Sequence, residues 1–233
     1  MKKDTSKRYK KLIDMFKDKK LSTLEEAIRK TKQSSTAKFD ESIDVSLNLN
    51  LKQKKEDASL RTVVNLPHGN GKKIKVAVLC EEEKVKEAKT FGAEIVGSDS
   101  LVNEILSGKI AFDKLIATTA MMPKMGKLGK ILGPKGLMPN PKLGTVTNDI
   151  KKAIKSLKEG QIEIKNDKDG IVAASIGKKS FDDKKIIENF NALVQAIQKE
   201  KPNGIKGDFI VSSYITSSMG VSHKLKVKVQ NYD

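Results

Sequence analysis

Five lysines and no acidic residue occur in the segment MMPKMGKLGKILGPKGLMPNPKLGTVT, residues 121–147, which we call the basic segment. It also holds five glycines and four of the chain's six prolines, so we predict a loop rather than a helix. Ammonium groups without nearby carboxylates attract polyanions, and the apolar residues between them favour an ordered, functional loop over a merely solvated one. The lysines are Lys124, Lys127, Lys130, Lys135 and Lys142.

The overall charge also indicates a polyanion as partner. Forty-six Lys plus Arg against 29 Asp plus Glu give a formal net charge of +17, and the pI is near 9.7. This is the charge balance of nucleic-acid-binding proteins. No apolar run approaches the ~20 residues of a membrane-spanning helix, and the first residues, MKKDTSKRYKK, lack the apolar core of a signal peptide. We therefore predict a cytoplasmic protein with no membrane partner.

The motifs of common catalytic and cofactor sites do not occur. No Ser or Thr follows a Gly-Lys pair in the spacing of a phosphate loop, and residues 81–83 are glutamates where a dinucleotide site would need glycines. Cys80, His68 and His223 are too far apart in sequence for a zinc motif. We read Cys80 as a core residue, His68 as a turn residue and His223 as a surface residue. The sequence predicts no enzyme, no cofactor, no metal and no small-molecule substrate.

Hydrophobic periodicity changes twice along the chain and indicates two domains. Apolar and polar residues alternate over 43–51, as in an antiparallel strand with one buried face. After a turn signal at 67–71, short apolar runs alternate with helical patterns, which is typical of a parallel sheet. The predicted elements of this middle block are strands 74–80, 93–96 and 114–119 and helices 81–90, 100–107 and 148–159.

Beyond Gly160 the pattern returns to α+β. Strands 161–165 and 171–176 flank the sequence NDKDG, a hairpin signal. Ser180 with Asp183 resembles a capping box that opens a helix ending before Pro202, and strands 209–216 and 224–229 follow. We predict a discontinuous terminal domain, residues 1–67 and 160–233, and an inserted α/β domain, residues 68–159, joined at a hinge.

Among polyanions, folded RNA fits this chain best. Stacking on single strands needs exposed aromatics, and the chain has seven Phe, three Tyr and no Trp. Recognition of folded RNA uses backbone and 2′-hydroxyl contacts, which suit hydroxyl-rich segments such as SSYITSSMG at 212–220. The lysines alternating at 224, 226 and 228 are typical of the solvent face of an edge strand.

Four blocks of the sequence carry a resemblance to a known family. GKLGKILGPKGLMPNPKLGTV, residues 126–146, is similar to the signature of large-subunit ribosomal protein family one, the protein of the mobile stalk beside the tRNA exit site. Three further blocks occur in that family's order: KFDES at 38–42, LPHG at 66–69 and SSMG at 217–220. The match spans the whole chain, which is identified as a member of that family.

The resemblance implies a terminal α+β domain, with an antiparallel sheet and two helices, and an inserted three-layer α/β domain. It also implies that the terminal domain binds rRNA. Asp44 stands where the family usually has Glu, and Ser218 where it usually has Thr; both keep the oxygen, and lower affinity is expected. The implied rRNA-binding residues are Lys38, Phe39, Asp44, Ser212, Thr216, Ser218, Met219 and Gly220.

The function implied is that of a structural constituent of the large ribosomal subunit in the cytoplasm. Such a protein binds stalk rRNA directly, assists movement and release of deacylated tRNA at the exit site, and represses its own operon by binding its mRNA leader. The basic segment falls in the other domain, so its lysines are a possible contact for tRNA or a second RNA.

Two rival classes remain at this stage. A DNA-compacting protein would be basic too, but it usually inserts arginines into the minor groove, and Arg8, Arg29 and Arg61 are the chain's only arginines. A nucleotide-using enzyme could be built on the middle block. Competition between stalk-like RNA and duplex DNA for binding would distinguish an RNA-binding protein from a DNA-compacting one. A copurified nucleotide would indicate the enzyme.

Overall fold

The computed structural model describes residues 5–16, 21–51, 60–108, 110–202, 205 and 207–226. The chain divides into two compact units. The first, here the terminal unit, comprises Met1–Gly71 and Ile162–Asp233, and the second, the inserted unit, is Lys72–Gln161. In the described ranges, no helix is long and apolar enough to cross a membrane.

The terminal unit contains a four-stranded sheet, a two-stranded sheet and three described helices. The four-stranded sheet has the order β7-β1-β8-β9, and β2 pairs with β6. The helices are α1 (Lys7–Met15), α2 (Leu24–Ser34) and α8 (Asp183–Lys199). The strands are β1 (Ser42–Leu49), β2 (Arg61–Asn65), β6 (Gln161–Lys165), β7 (Ile171–Lys178), β8 (Ile210–Ser217) and β9 (His223–Leu225).

Strand β1 forms because its alternation gives the sheet one apolar face. Ile43, Val45, Leu47 and Leu49 are at most 1% exposed, and they pack with side chains of α2 and α8 in one core. Each such buried side chain stabilises the fold by about 1.5–3 kcal/mol. The intervening polar residues are left on the opposite face, where no described helix of this core lies.

Four expectations for this unit were wrong, and the fourth, a hairpin, is described in the next paragraph. It has a third helix, α1, because the charges around Leu12, the only buried residue of α1, obscured its amphipathic pattern. His223 is buried, with its ring edge-on to Phe16 at 5.4 Å between ring centroids. Ser180 does not cap α8, since its hydroxyl donates to Asp40 at 2.7 Å.

Strands β6 and β7 do not form the expected hairpin. β7 pairs with β1, β6 pairs with β2, and only a single bridge, Asn166 to Val172, joins their ends. The Asp167 carboxylate accepts the N–H groups of Asp169 and Ile171, and Gly170 follows with φ +79°. This tight turn reverses the chain, as NDKDG predicted, but passes it from one sheet to the other.

The inserted unit is a parallel three-stranded sheet with helices on both faces. Its sheet has the order β4-β3-β5, with both pairs parallel. One core joins the sheet to α4, α5 and α6, and the other joins it to α3 and α7. The elements are β3 (Val76–Leu79), α3 (Val85–Thr90), β4 (Ile95–Gly97), α4 (Asp99–Leu106), β5 (Lys114–Ala117), α5 (Met122–Met125), α6 (Gly129–Leu132) and α7 (Ile150–Lys158).

The first half of the basic segment is helical, which corrects the prediction of a loop. The turns Thr119–Met121, α5, Gly126–Leu128 and α6 follow one another without a break. Pro123 lies in the first turn of α5, where its missing N–H costs nothing. The side chains that anchor this helical stretch in the core are Met121, Met125, Leu128 and Leu132.

The unit boundaries differ by a few residues from the expected 67/68 and 159/160. The buried Asn189 side chain of α8 accepts the His68 N–H at 3.1 Å and donates to the Gly69 carbonyl at 2.8 Å. These bonds keep residues 68–71 with the terminal unit. At the return, the Gln161 side chain donates to the Leu143 carbonyl at 3.4 Å, inside the inserted unit.

Candidate nucleic-acid interface

The outer face of the four-stranded sheet is open and polar. The antiparallel register of β1 and β8 places Asp44 opposite Thr216 and Asn48 opposite Ser212, and directly opposed residues lie ~5 Å apart. Three of the expected rRNA-binding residues, Asp44, Ser212 and Thr216, therefore share this face. All three are partly exposed, so their oxygens can reach a partner.

Two loops meet at one end of this face, where β1 begins and β8 ends. The loop before β1 carries Lys38 and Phe39, and the turn after β8 carries Ser218 and Met219. They are neighbours because the start of β1 pairs with the end of β8, at Ile43 opposite Ser217. Phe39 is 56% exposed and Met219 is 48% exposed. The structure thus brings two exposed apolar side chains to the edge of a polar surface, a combination suited to RNA bases and riboses.

Ser218 continues the pairing of the two strands. Its N–H donates to the Ser42 carbonyl at 3.1 Å, and its hydroxyl oxygen accepts the Ser42 N–H at 3.1 Å. The side chain is exposed. One Ser218 oxygen therefore both completes the sheet and faces the surface.

Gly220 is a position at which a side chain does not fit. A Cβ there would lie 2.3 Å from the Ser217 hydroxyl oxygen and 2.6 Å from that of Ser34. Both serines are buried, so neither hydroxyl can move aside into solvent. The requirement for glycine follows from packing against α2, since its backbone φ is not in the left-handed region.

Glu41 is a buried carboxylate behind these loops, and sequence reasoning missed it. Its side chain is 0% exposed; Oε1 accepts the Ala37 N–H at 2.9 Å and Oε2 accepts the Met219 N–H at 3.0 Å. Burial raises the pKa of Glu41, but the Ala37 and Met219 N–H groups, the Ser217 hydroxyl and the charge of Lys179 together outweigh burial and lower its pKa below the usual value. Glu41 therefore stays an anion at neutral pH. The sequence pattern could have indicated this burial, because position 41 continues the alternation in which the odd-numbered residues of β1 are buried.

Arg8 of α1 joins the same two loops from the solvent side. Nη1 donates to the Thr36 hydroxyl and Nη2 to the Met219 carbonyl, each at 2.9 Å. Arg8 is exposed. Both backbone polar groups of Met219 are thus held by side chains, the N–H by Glu41 and the carbonyl by Arg8.

The lysines of the basic segment lie in the inserted unit and are all exposed. Lys124 pairs with Asp99 at 2.5 Å. Within the described residues, the ammonium groups of Lys127, Lys130 and Lys135 have no ion pair or hydrogen bond. Because Met125, Leu128 and Leu132 face the core from the same helical stretch, Lys127 and Lys130 project from its solvent side. The expected Lys224 and Lys226 are exposed on and after β9, and Lys228 lies outside the described residues.

The described residues do not bring three His, Cys, Asp or Glu side chains together as a metal site requires. Cys80 is fully buried at the end of β3, and burial raises the pKa of its thiol. A buried, protonated thiol is a poor nucleophile, in agreement with its reading as a core residue.

Comparison with known proteins gives a consistent result. Residues 29–221 match the family model described as "Ribosomal protein L1p/L10e family". The chain is 55% identical over 223 residues to "Large ribosomal subunit protein uL1" of Pelagibacter ubique (strain HTCC1062), covering 95% of this chain and 97% of that protein. It is 46% identical over 216 residues to the protein of the same name from Rickettsia akari (strain Hartford), covering 93% and 90%.

Proposed function

Because this chain belongs to the ribosomal protein L1p/L10e family, it is a non-enzymatic constituent of the large ribosomal subunit, and we propose that its terminal unit binds the rRNA of the mobile stalk directly. The observation that carries this proposal is the register of β1 and β8, which gathers the candidate residues on one open face and its edge. The proposed contact residues are Lys38, Phe39, Asp44, Ser212, Thr216, Ser218, Met219 and Gly220.

The chemistry of this surface suits folded RNA better than single strands or duplex DNA. Among the described residues of this surface, two aromatic rings are exposed, Phe39 in the loop before β1 and Tyr214 on the sheet face opposite Ser46, and the rest of that face offers hydroxyl and carboxylate oxygens. Asp44 can only accept hydrogen bonds, so it favours 2′-hydroxyls and base amino groups and repels phosphates. Such a face selects the RNA groove by shape and 2′-hydroxyl position. Lys38 supplies a phosphate contact beside it.

We infer a second RNA contact for the inserted unit, with the tRNA leaving the exit site as partner. The supporting observation is the set of exposed lysines at 127, 130 and 135, which have no carboxylate partner among the described residues. Transient phosphate contacts of this kind hold a tRNA without reading its sequence. They would assist the movement and release of deacylated tRNA.

The proposal extends to the mRNA of the protein's own operon. An mRNA leader that folds like the stalk presents the same groove and 2′-hydroxyls, so it would occupy the same sheet face. Stalk rRNA and leader would then exclude each other. Repression of translation follows when the protein exceeds its rRNA.

The location of the rRNA site is tested by removing the inserted unit. Replacing residues 72–161 with a short Gly/Ser linker is expected to leave stalk-RNA affinity within about threefold of the full chain, since closing a short flexible loop costs little. Affinity would be measured by filter binding with the isolated stalk RNA, with duplex DNA as competitor. A folded module that binds no RNA would place the site in the inserted unit, and equal binding of duplex DNA would favour the DNA-compacting alternative.

The role of the Ser218 hydroxyl is tested by two isosteric substitutions. Ser218→Val is expected to weaken stalk-RNA binding by about 1 kcal/mol, because it removes the acceptor of the Ser42 N–H and an oxygen at the surface. Ser218→Thr has the same shape as the valine variant and keeps the oxygen, so it should bind at least as well as the wild type. Equal affinities of the two variants in a stalk-RNA titration would show that the Ser218 hydroxyl does not contribute to RNA binding.

A further inference from the structure

The two loops that lie where β1 begins and β8 ends are joined twice, by side chains that contact both of them. Glu41 accepts one N–H from each loop, those of Ala37 and Met219. Arg8 donates once to each, to the Thr36 hydroxyl and the Met219 carbonyl. These are charge-assisted hydrogen bonds, which are shorter and stronger than neutral ones. Together they fix the backbone on which Met219 is carried and the chain that leads to Phe39.

The Glu41 connection lies inside the protein. Its carboxylate is fully buried, and its own backbone carbonyl accepts the Lys179 N–H at 2.8 Å. A buried carboxylate with two N–H donors is costly to replace, because removing it leaves both donors unsatisfied. Burial also makes direct contact with RNA impossible for this side chain. Whatever Glu41 does for binding, it does through the loops.

The Arg8 connection is exposed and comes from outside the region 29–221 that matches the family. Exposed charged contacts contribute little to stability, so we expect loss of this one to lower the free energy of unfolding only slightly. Its geometry is nevertheless specific, since two nitrogens of one guanidinium bind two loops. A planar fork of donors is suited to this task.

We propose that Glu41 and Arg8 are positioning residues for RNA binding, which hold Phe39 and Met219 in their binding arrangement before RNA arrives. The inference rests on the function proposed above for the terminal unit. A preorganised surface binds more tightly because less conformational freedom is lost on association. The two residues therefore raise RNA affinity without contacting the RNA themselves.

The test compares Glu41→Gln with Glu163→Gln in the full chain. Both variants remove one negative charge from the terminal unit. Glu163, however, pairs with Arg61 on the two-stranded sheet, away from the loops. We expect Glu41→Gln to weaken stalk-RNA binding roughly tenfold or more and Glu163→Gln to leave it unchanged. The salt dependence of binding should be the same in all three proteins, because neither substitution removes a bond to phosphate.

Amide hydrogen exchange supplies a readout that general destabilisation would not produce. In Glu41→Gln the amide protons of Ala37 and Met219 should lose protection, while that of Val45 in the centre of β1 keeps it. Uniform loss of protection would instead indicate global unfolding and overturn the positioning role. Equal RNA affinity of Glu41→Gln and Glu163→Gln would also overturn the positioning role. A wild-type protein that does not bind stalk RNA would instead refute the proposed function.

Arg8→Gln tests the exposed half of the arrangement, in a variant whose folding is not at risk. We expect weaker RNA binding, by about threefold, with an unchanged slope of log affinity against log salt. A slope reduced by about 0.9 would show that Arg8 contacts a phosphate directly. Unchanged affinity would show that Arg8 neither contacts the RNA nor positions the loops for it. Either result would overturn the role assigned to Arg8.

Discussion

Gly220→Ala is expected to weaken binding of the stalk rRNA about thirtyfold or more, with little change in the salt dependence. The added Cβ would lie 2.3 Å from the Ser217 hydroxyl oxygen and 2.6 Å from that of Ser34. Overpacking at a buried site typically costs about 1–3 kcal/mol. When the turn relieves the clash by moving outward, it carries Met219 with it. Filter binding and a urea unfolding curve of the same sample would separate lost affinity from lost stability.

A second glycine provides the matched control. Gly126 has a helical φ of −54°, and a Cβ there would meet nothing within 4 Å. Gly126→Ala should therefore bind stalk RNA like the wild type. If Gly220→Ala also binds normally, the turn at 218–220 does not contact the RNA closely, and its assignment to the site would have to be withdrawn.

The elements that position the site were predictable where one periodicity dominated. The alternation from 43 to 51 predicted β1 with its buried face, and the observed strand is Ser42–Leu49. What alternation cannot give is the partner strand and register. Only the pairing of Asp44 with Thr216, across most of the chain length, brings the two halves of the site together. Pairing at that separation leaves no local signal in the sequence.

The first half of the basic segment was mispredicted because its glycine and proline content suggested a loop more strongly than its apolar spacing suggested a helix. Yet Met121, Met125, Leu128 and Leu132 recur at helical intervals and are all buried. Gly126 and Gly129 adopt helical backbone angles, since the core on one side stabilises the helix despite their poor propensity. Tertiary packing overrode local preference here.

Glu41 was missed for a different reason. Glu41 lies one residue before β1, at a position that continues the alternation of buried residues in that strand. A carboxylate at a buried position requires partners. Those partners are backbone N–H groups of two loops that are distant in sequence, and backbone donors leave no trace in residue type.

Neutralising three lysines of the basic segment should leave stalk-RNA binding intact and weaken tRNA binding strongly. In Lys127→Gln/Lys130→Gln/Lys135→Gln we expect the slope of log affinity for deacylated tRNA against log salt to fall by about 2 to 3, and affinity to fall roughly a hundredfold near 0.1 M salt, if each lysine releases one counterion. The reason is that these exposed side chains have no carboxylate partner among the described residues, so their charge is available to phosphates.

The control for that experiment removes the same charge from the opposite face of the inserted sheet. Lys151, Lys152 and Lys155 lie on α7, where Lys152 pairs with Asp149 and Lys155 with Glu159. Their replacement by glutamine should reduce tRNA affinity much less, because the adjacent carboxylates already offset two of the three charges. Equal losses from both triple variants would mean that only net charge matters. Removing a lysine that binds a phosphate lowers the slope of log affinity against log salt for the RNA that carries that phosphate. If the basic-segment variant loses affinity and slope on isolated stalk RNA while Ser218→Val binds normally, the inserted unit is therefore the primary rRNA-binding site.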